Sequence, residues 1–163
     1  MTICLIGFMG SGKTTIGKEL KEMLGKKWID LDEYIEIQEG KKISDIFEQK
    51  GESYFRELEH IYLKQLINEG VEIISTGGGI ITTPKNSEML QKTCSIYLEY
   101  PFDVLYQRIE GDNNRPLATS YEALKTRFLN RLDLYEKAAQ VKINCRDKSI
   151  NEIAQEIITY LKK

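Results

Sequence analysis

Gly7-Phe8-Met9-Gly10-Ser11-Gly12-Lys13-Thr14 fits G-x-x-x-x-G-K-[ST], the pattern of a phosphate-binding loop, and its neighbours are the ones that pattern needs. The apolar run Ile3 to Ile6 precedes it and reads as a buried strand. Lys13 to Leu24 follows with helical character and stops at Gly25, a residue suited to a helix C-cap. Glycines let the backbone curl until successive N–H groups point inward at a polyphosphate, and the helix behind adds the positive end of its dipole. Gly10, Ser11, Gly12, Lys13, Thr14 and Thr15 are therefore the expected nucleotide contacts. Lys13 should reach the β- and γ-phosphates, and the Thr14 hydroxyl should hold a magnesium ion.

Outward from this loop, strand-like and helical segments alternate. Lys27 to Leu31 reads as a second strand, with Asp30 and Asp32 at its carboxyl end, the edge where ligand chemistry gathers in an open α/β sheet. Residues two apart in an extended segment share a side, so both carboxylates are expected to face one cleft. Glu33 to Glu69 is helical, broken at Gly40 and Gly51, with Ser44 a local cap. That block is longer than a crossover requires, which suggests a helical substrate-binding insertion at about 33–61.

Val71 to Ser75 reads as a third strand, and Gly77-Gly78-Gly79 after it as a ligand-facing loop, since three consecutive glycines at a strand end usually mean a close approach to the backbone. Thr93 to Leu98 is a fourth strand, followed by a helix starting at Pro101. The polar stretch Glu110 to Ser120, interrupted by Pro116, reads as a mobile lid at about 110–123. Tyr121 to Ala139 is helical and carries Arg127 and Arg131; Gln140 to Asn144 and Ile150 to Leu161 complete the chain as a strand and an amphipathic helix. The expectation is a single domain over residues 1–163: a three-layer α/β/α P-loop fold with a five-stranded parallel sheet.

Composition narrows the setting. A formal net charge of −2 lacks the basic excess of a dedicated nucleic-acid binder. Cys4, Cys94 and Cys145 show no C-x-x-C spacing and read as buried thiols of a reducing compartment. No apolar run approaches the ~18 residues of a membrane span, and the N-terminus lacks a basic leader. The expected protein is a cytoplasmic monomer with no nucleic-acid or membrane partner.

A phosphate loop establishes nucleotide binding and leaves the reaction open. The base-reading N-K-x-D of a GTPase switch is missing, as is the long apolar strand ending in Asp-Glu of a motor ATPase. The carboxylate types at positions 30 and 32 suit two tasks, orienting the waters of magnesium and accepting a substrate hydroxyl proton. Arg56, Arg115 and Arg131 are candidate clamps for carboxylate or phosphate. His60, the only histidine, reads as solvated or structural.

The chain resembles the shikimate kinases, within the nucleoside-monophosphate-kinase-like group. The likeness rests on Gly7 to Thr14, Asp30-Leu31-Asp32, Phe55-Arg56 with Glu59, Gly77-Gly78-Gly79, Arg115-Pro116-Leu117, and Arg131 with Tyr135. It implies transfer of the ATP γ-phosphate to the 3-hydroxyl of shikimate, with Mg2+ as cofactor. By the same resemblance Asp32, Lys13 and Arg115 are catalytic, Asp32 as the proton acceptor, and Asp30 joins Thr14 at magnesium. Arg56, Arg131 and the backbone of Gly77, Gly78 and Gly79 bind shikimate, and Phe47 and Phe55 wall its pocket. Arg108 stacks on adenine and Arg146 belongs to the adenine loop. Rival readings are another small-metabolite kinase, such as a gluconate kinase, and a nucleotide-regulated binding protein with no phosphoryl acceptor.

Overall fold

Residues 1–111 and 120–163 are described by the computed structural model. Five strands, β1 (Ile3–Ile6), β2 (Trp28–Asp30), β3 (Ile73–Ser75), β4 (Cys94–Glu99) and β5 (Val141–Asn144), form one parallel sheet in the order β2-β3-β1-β4-β5. Parallel strands need crossover connections, and here helices supply them. They are α1 (Lys13–Leu24), α2 (Leu31–Glu39), α3 (Ile43–Lys50), α4 (Glu52–Asn68), α5 (Pro84–Gln91), α6 (Phe102–Glu110), α7 (Tyr121–Ala138) and α8 (Ile150–Leu161). The α/β class and the five parallel strands are as the alternation predicts. No helix among the described residues is long and apolar enough to cross a membrane.

The central strand is apolar throughout because both its faces are covered: Cys4, Leu5 and Ile6 are fully buried. Two serines show which helix covers which face. Ser75, in register with Leu5, donates to the Lys13 carbonyl of α1 at 2.6 Å. Ser95, in register with Cys4 and so on the opposite face, donates to the Ala138 carbonyl of α7 at 2.6 Å. β5 is an edge strand, and its burial alternates accordingly.

Local chemistry sets several boundaries. Gly25 ends α1 in the left-handed conformation, φ 63°, with its N–H on Lys21 O, as the sequence predicts. Ser149 and Glu152 form a reciprocal capping box that starts α8, an arrangement worth about 1 kcal/mol. Ser44 does not cap α3. The helix already begins at Ile43, whose N–H goes to Glu36 Oε2 at 2.9 Å. Gly17, inside α1, leaves room for β2: a Cβ there would lie 2.1 Å from Trp28 Nε1.

The two aspartates also depart from the expected arrangement. They do not share an extended segment, because β2 ends at Asp30 and α2 begins at Leu31. Asp30 is the N-cap of α2, accepting from Glu33 N at 3.0 Å, and Asp32 lies in the first helical turn. The cap itself causes the switch, since an aspartate carboxylate satisfies an otherwise orphan N–H at that position. Of the expected lid, residues 112–119, Arg115 among them, lie outside the described residues. α7 opens just after it, behind Ser120, whose hydroxyl accepts from Ala123 N.

Candidate active site

The carboxyl ends of β1, β2 and β3 open into one cleft of about 500 Å3, lined by the phosphate loop, the β2–α2 junction, α3, α4, the triple glycine and α7. Of the predicted site residues, it brings together Gly10, Gly12, Lys13, Thr14, Thr15, Asp30, Asp32, Phe47, Phe55, Arg56, Gly77, Gly78, Gly79 and Arg131. Ser11 and Arg108 line an adjoining pocket of about 200 Å3 instead. Arg146 lines neither and stands at the surface, its Nε 3.8 Å from Asp147. Arg115 lies outside the described residues.

The phosphate loop adopts backbone angles that side chains rarely take: φ is 84° at Gly10 and 83° at Gly12. Lys13 folds back over it, donating to Gly7 O at 2.6 Å and Phe8 O at 3.0 Å. One residue on, the Thr14 hydroxyl donates to Asp30 Oδ2 at 2.6 Å. A hydroxyl and a carboxylate so placed are a hard-oxygen pair that suits magnesium.

Asp32 lies against the glycine loop. Its Oδ1 is buried and has no hydrogen-bond partner among the described residues. Burial foremost, then the negative charge of Asp30, push its pKa up to about 6, against the pull of Lys13 and Arg56. Gly77 makes the space: a Cβ there would lie 2.8 Å from Asp32 Oδ1. Gly79 does the same for Arg56, with a Cβ position 2.4 Å from Nη2. The glycine loop thus accommodates two facing side chains, a more specific reason for its composition than backbone proximity to a ligand.

Arg56 is held by its own helix. It donates to Glu59 Oε1 at 2.7 Å and to Glu52 Oε2 at 3.3 Å, the spacings that place neighbours on one α-helical face. Its guanidinium also lies 5.4 Å from the Phe55 ring centre and 6.0 Å from that of Phe47. Burial alone would depress Arg56, yet the Glu59 charge and hydrogen bond raise it. Glu59 is fully buried, and this drives its pKa up to about 7 despite Arg56.

Arg131 stands across the cleft on α7, 6.0 Å from the Phe8 ring. Burial lowers its pKa, and Tyr135 opposes the shift. Tyr135 in turn donates to Gly78 O, which ties α7 to the glycine loop. In the adjoining pocket, Arg108 donates to Gly10 O at 3.0 Å and lies 4.3 Å from the Tyr100 ring centre. That pocket is also lined by Lys148, Ile150 and Ile153. His60 pairs through Nδ1 with the buried Asn86 Oδ1 at 2.8 Å, a structural contact away from the cleft.

Sequence reasoning gave no role to two charged cleft residues. Glu59 follows Arg56 by three positions and Arg127 precedes Arg131 by four, so helical spacing was the available signal for both.

A model of the shikimate kinase family matches residues 9–162. A shikimate kinase from Sulfurihydrogenibium sp. is 41% identical, with 99% of this chain and 98% of the relative covered. One from Macrococcus caseolyticus is 43% identical, with 99% and 96% covered. Among solved structures, shikimate kinase from Acinetobacter baumannii in complex with shikimate superposes with TM-score 0.90 at 35% identity, covering 99% of this chain and 92% of that one. The Aquifex aeolicus shikimate kinase gives TM-score 0.88 at 36% identity, covering 99% and 96%. A gluconokinase from Sinorhizobium meliloti, at 16% identity and TM-score 0.58 with 99% and 91% covered, shares the fold alone.

Proposed function

The chain belongs to the shikimate kinase family and is an ATP-dependent kinase, and we propose that the residues of this one cleft transfer the ATP γ-phosphate to the 3-hydroxyl of shikimate. The observation that carries the residue roles is the buried, unpartnered Asp32 Oδ1 standing between the phosphate loop and the arginines Arg56 and Arg131.

Asp32 accepts the proton of the shikimate hydroxyl as its oxygen bonds to the γ-phosphorus and the bond to the β–γ bridging oxygen breaks, so that ADP leaves. With its pKa raised to about 6, Asp32 is ionised at neutral pH yet close enough to it to take a proton well. Arg56 and Arg131 hold the substrate carboxylate from opposite sides, joined by the backbone of Gly77, Gly78 and Gly79, while Phe47 and Phe55 wall the ring. The substrate-binding insertion at about 33–61, within the three helices between β2 and β3, carries Arg56. Lys13 neutralises phosphate charge, and the family resemblance gives Arg115, in the expected lid at about 110–123, the same task. Arg108 and Tyr100 flank the adenine, with Lys148 and the loop containing Arg146 closing that side.

Thr14 and Asp30 would hold Mg2+, a reading supported by their 2.6 Å hydroxyl–carboxylate contact. When bound, the ion supplies positive charge to the β- and γ-phosphate oxygens. We also read the enzyme as a cytoplasmic monomer. Three buried free thiols support the first part, and exposed apolar residues scattered at Ile37, Tyr54, Ile61, Leu129 and Ile150 support the second.

A coupled ADP-release assay with and without shikimate tests the reaction. Acceptor-dependent ADP formation is the expected outcome. Nucleotide binding without shikimate-dependent turnover would instead favour a nucleotide-regulated binding protein.

A further inference from the structure

Resting on the shikimate kinase reading, we propose that Arg127 is a phosphate-binding residue for the transferred group, one helical turn from Arg131 and acting on a different part of the same substrate. The two arginines lie four residues apart on α7 and line the same cleft. α7 spans the site from its substrate end to its nucleotide end. Towards its C-terminus, Tyr135 is bonded to Gly78 of the glycine loop. At its N-terminus, Tyr121 donates to Asp103 of α6 at 2.9 Å, and α6 also carries Arg108, which is bonded to Gly10 of the phosphate loop. Phe128, beside Arg127, packs edge-on against Phe8 at 5.4 Å between ring centres.

At ~1.5 Å rise per residue, Arg127 therefore stands about 6 Å from Arg131 in the direction of the nucleotide. That displacement separates a carboxylate at Arg131 from the point where phosphate crosses the cleft. Charge points the same way. Arg56 is neutralised by Glu59 and Glu52, whereas Arg127 is exposed and makes no hydrogen bond or ion pair with a described residue. Burial depresses Arg131 and the charges of Arg127 and Arg56 add to the shift, so the Arg127 guanidinium is within electrostatic reach of the residue that holds the substrate carboxylate. Shikimate is a monoanion; its phosphorylated product carries a second anionic group, and Arg127 is the cation positioned to meet it.

Calorimetric titration of shikimate and of shikimate 3-phosphate, without nucleotide, into the wild-type protein and Arg127→Gln tests this. Arg127→Gln should bind shikimate 3-phosphate about tenfold more weakly, the effect of losing one charge-assisted hydrogen bond, and shikimate within about twofold of wild type. Arg127→Lys should recover part of the loss, and a melting scan should show both variants folded. Unchanged affinity for the phosphorylated ligand, or equal losses for both ligands, overturns the assignment. A wild-type protein that binds neither ligand overturns the shikimate reading beneath it.

Discussion

Asp32 is seated against Gly77 so closely that a Cβ on the glycine would lie 2.8 Å from Oδ1 and 3.2 Å from Oδ2. Two residues on, Gly79 bears the same relation to Arg56, with a Cβ position 2.4 Å from Nη2. Each glycine thus makes room for one cleft side chain, and alanine at each should give a different kinetic defect.

Gly77→Ala should lower kcat by about tenfold or more, because small displacements of a catalytic group are costly. Gly79→Ala should mainly raise the KM for shikimate by displacing Arg56. Steady-state kinetics on both variants separates the two. Identical profiles would show that the loop acts as a whole rather than through these two side chains. Overpacking should cost each variant about 1–3 kcal/mol, read from denaturant midpoints.

Asp32→Asn should reduce kcat severely and leave ATP binding, measured by titration, little changed. Its pH behaviour is equally diagnostic. The carboxyl titrates near 3.8 ordinarily and near 6 in the folded chain, so between those values the folded state binds the extra proton. A destabilising contribution from Asp32 therefore grows as pH rises from about 4 to 6 and is fully present above that range. Asn removes it, so the variant should be more stable than wild type by about 1–3 kcal/mol at pH 8, with the gap closing near pH 4. For the wild type, kcat/KM should fall as pH drops below about 6, where the proton acceptor becomes neutral. A flat profile through that range would remove Asp32 from its role.

Arg56→Ala should raise the shikimate KM by about ten- to a hundredfold, the loss expected for charge-assisted hydrogen bonds to a carboxylate. The same change strands the buried Glu59, which loses its one side-chain hydrogen bond among the described residues. Glu59, held near 7 with Arg56 in place, should then be neutral at physiological pH. Infrared detection of a protonated carboxyl in Arg56→Ala, absent in Arg56→Ala/Glu59→Gln, checks that consequence.

Asp30→Asn should increase the Mg2+ concentration needed for half-maximal activity by about tenfold while leaving the shikimate KM near its original value. The substitution keeps an oxygen able to accept from Glu33 N and so preserves most of the helix cap. A metal titration at saturating ATP measures the effect. An unchanged Mg2+ requirement would show that Asp30 serves α2 alone.

The regions legible in the sequence are those in which local geometry and chemistry coincide. The phosphate loop needs glycine at fixed positions for its backbone angles, and a strand and a helix must flank it, so its pattern already implies its structure. The central strand is a continuous apolar run because both faces of a parallel sheet are covered. That Asp30 and Asp32 share one cleft was legible in the sequence, whereas the extended segment expected to place them there is instead a helix start. Asp30 satisfies Glu33 N and Thr14 from a helix cap, and α2 turns Asp32 towards Gly77.

By itself the sequence determined that a glycine-rich loop of the phosphate-binding pattern, Gly7 to Thr14, joins a strand to a helix in a parallel α/β sheet, because those constraints act between neighbours along the chain. The tertiary structure alone decided what fills the space opposite. Gly77 and Gly79 lie more than twenty residues beyond Asp32 and Arg56, yet the missing Cβ atoms are what let those side chains enter the cleft. It also decided that Glu59 is buried with Arg56 and that Arg127 shares the cleft with Arg131, since burial and charge balance depend on which helices converge there.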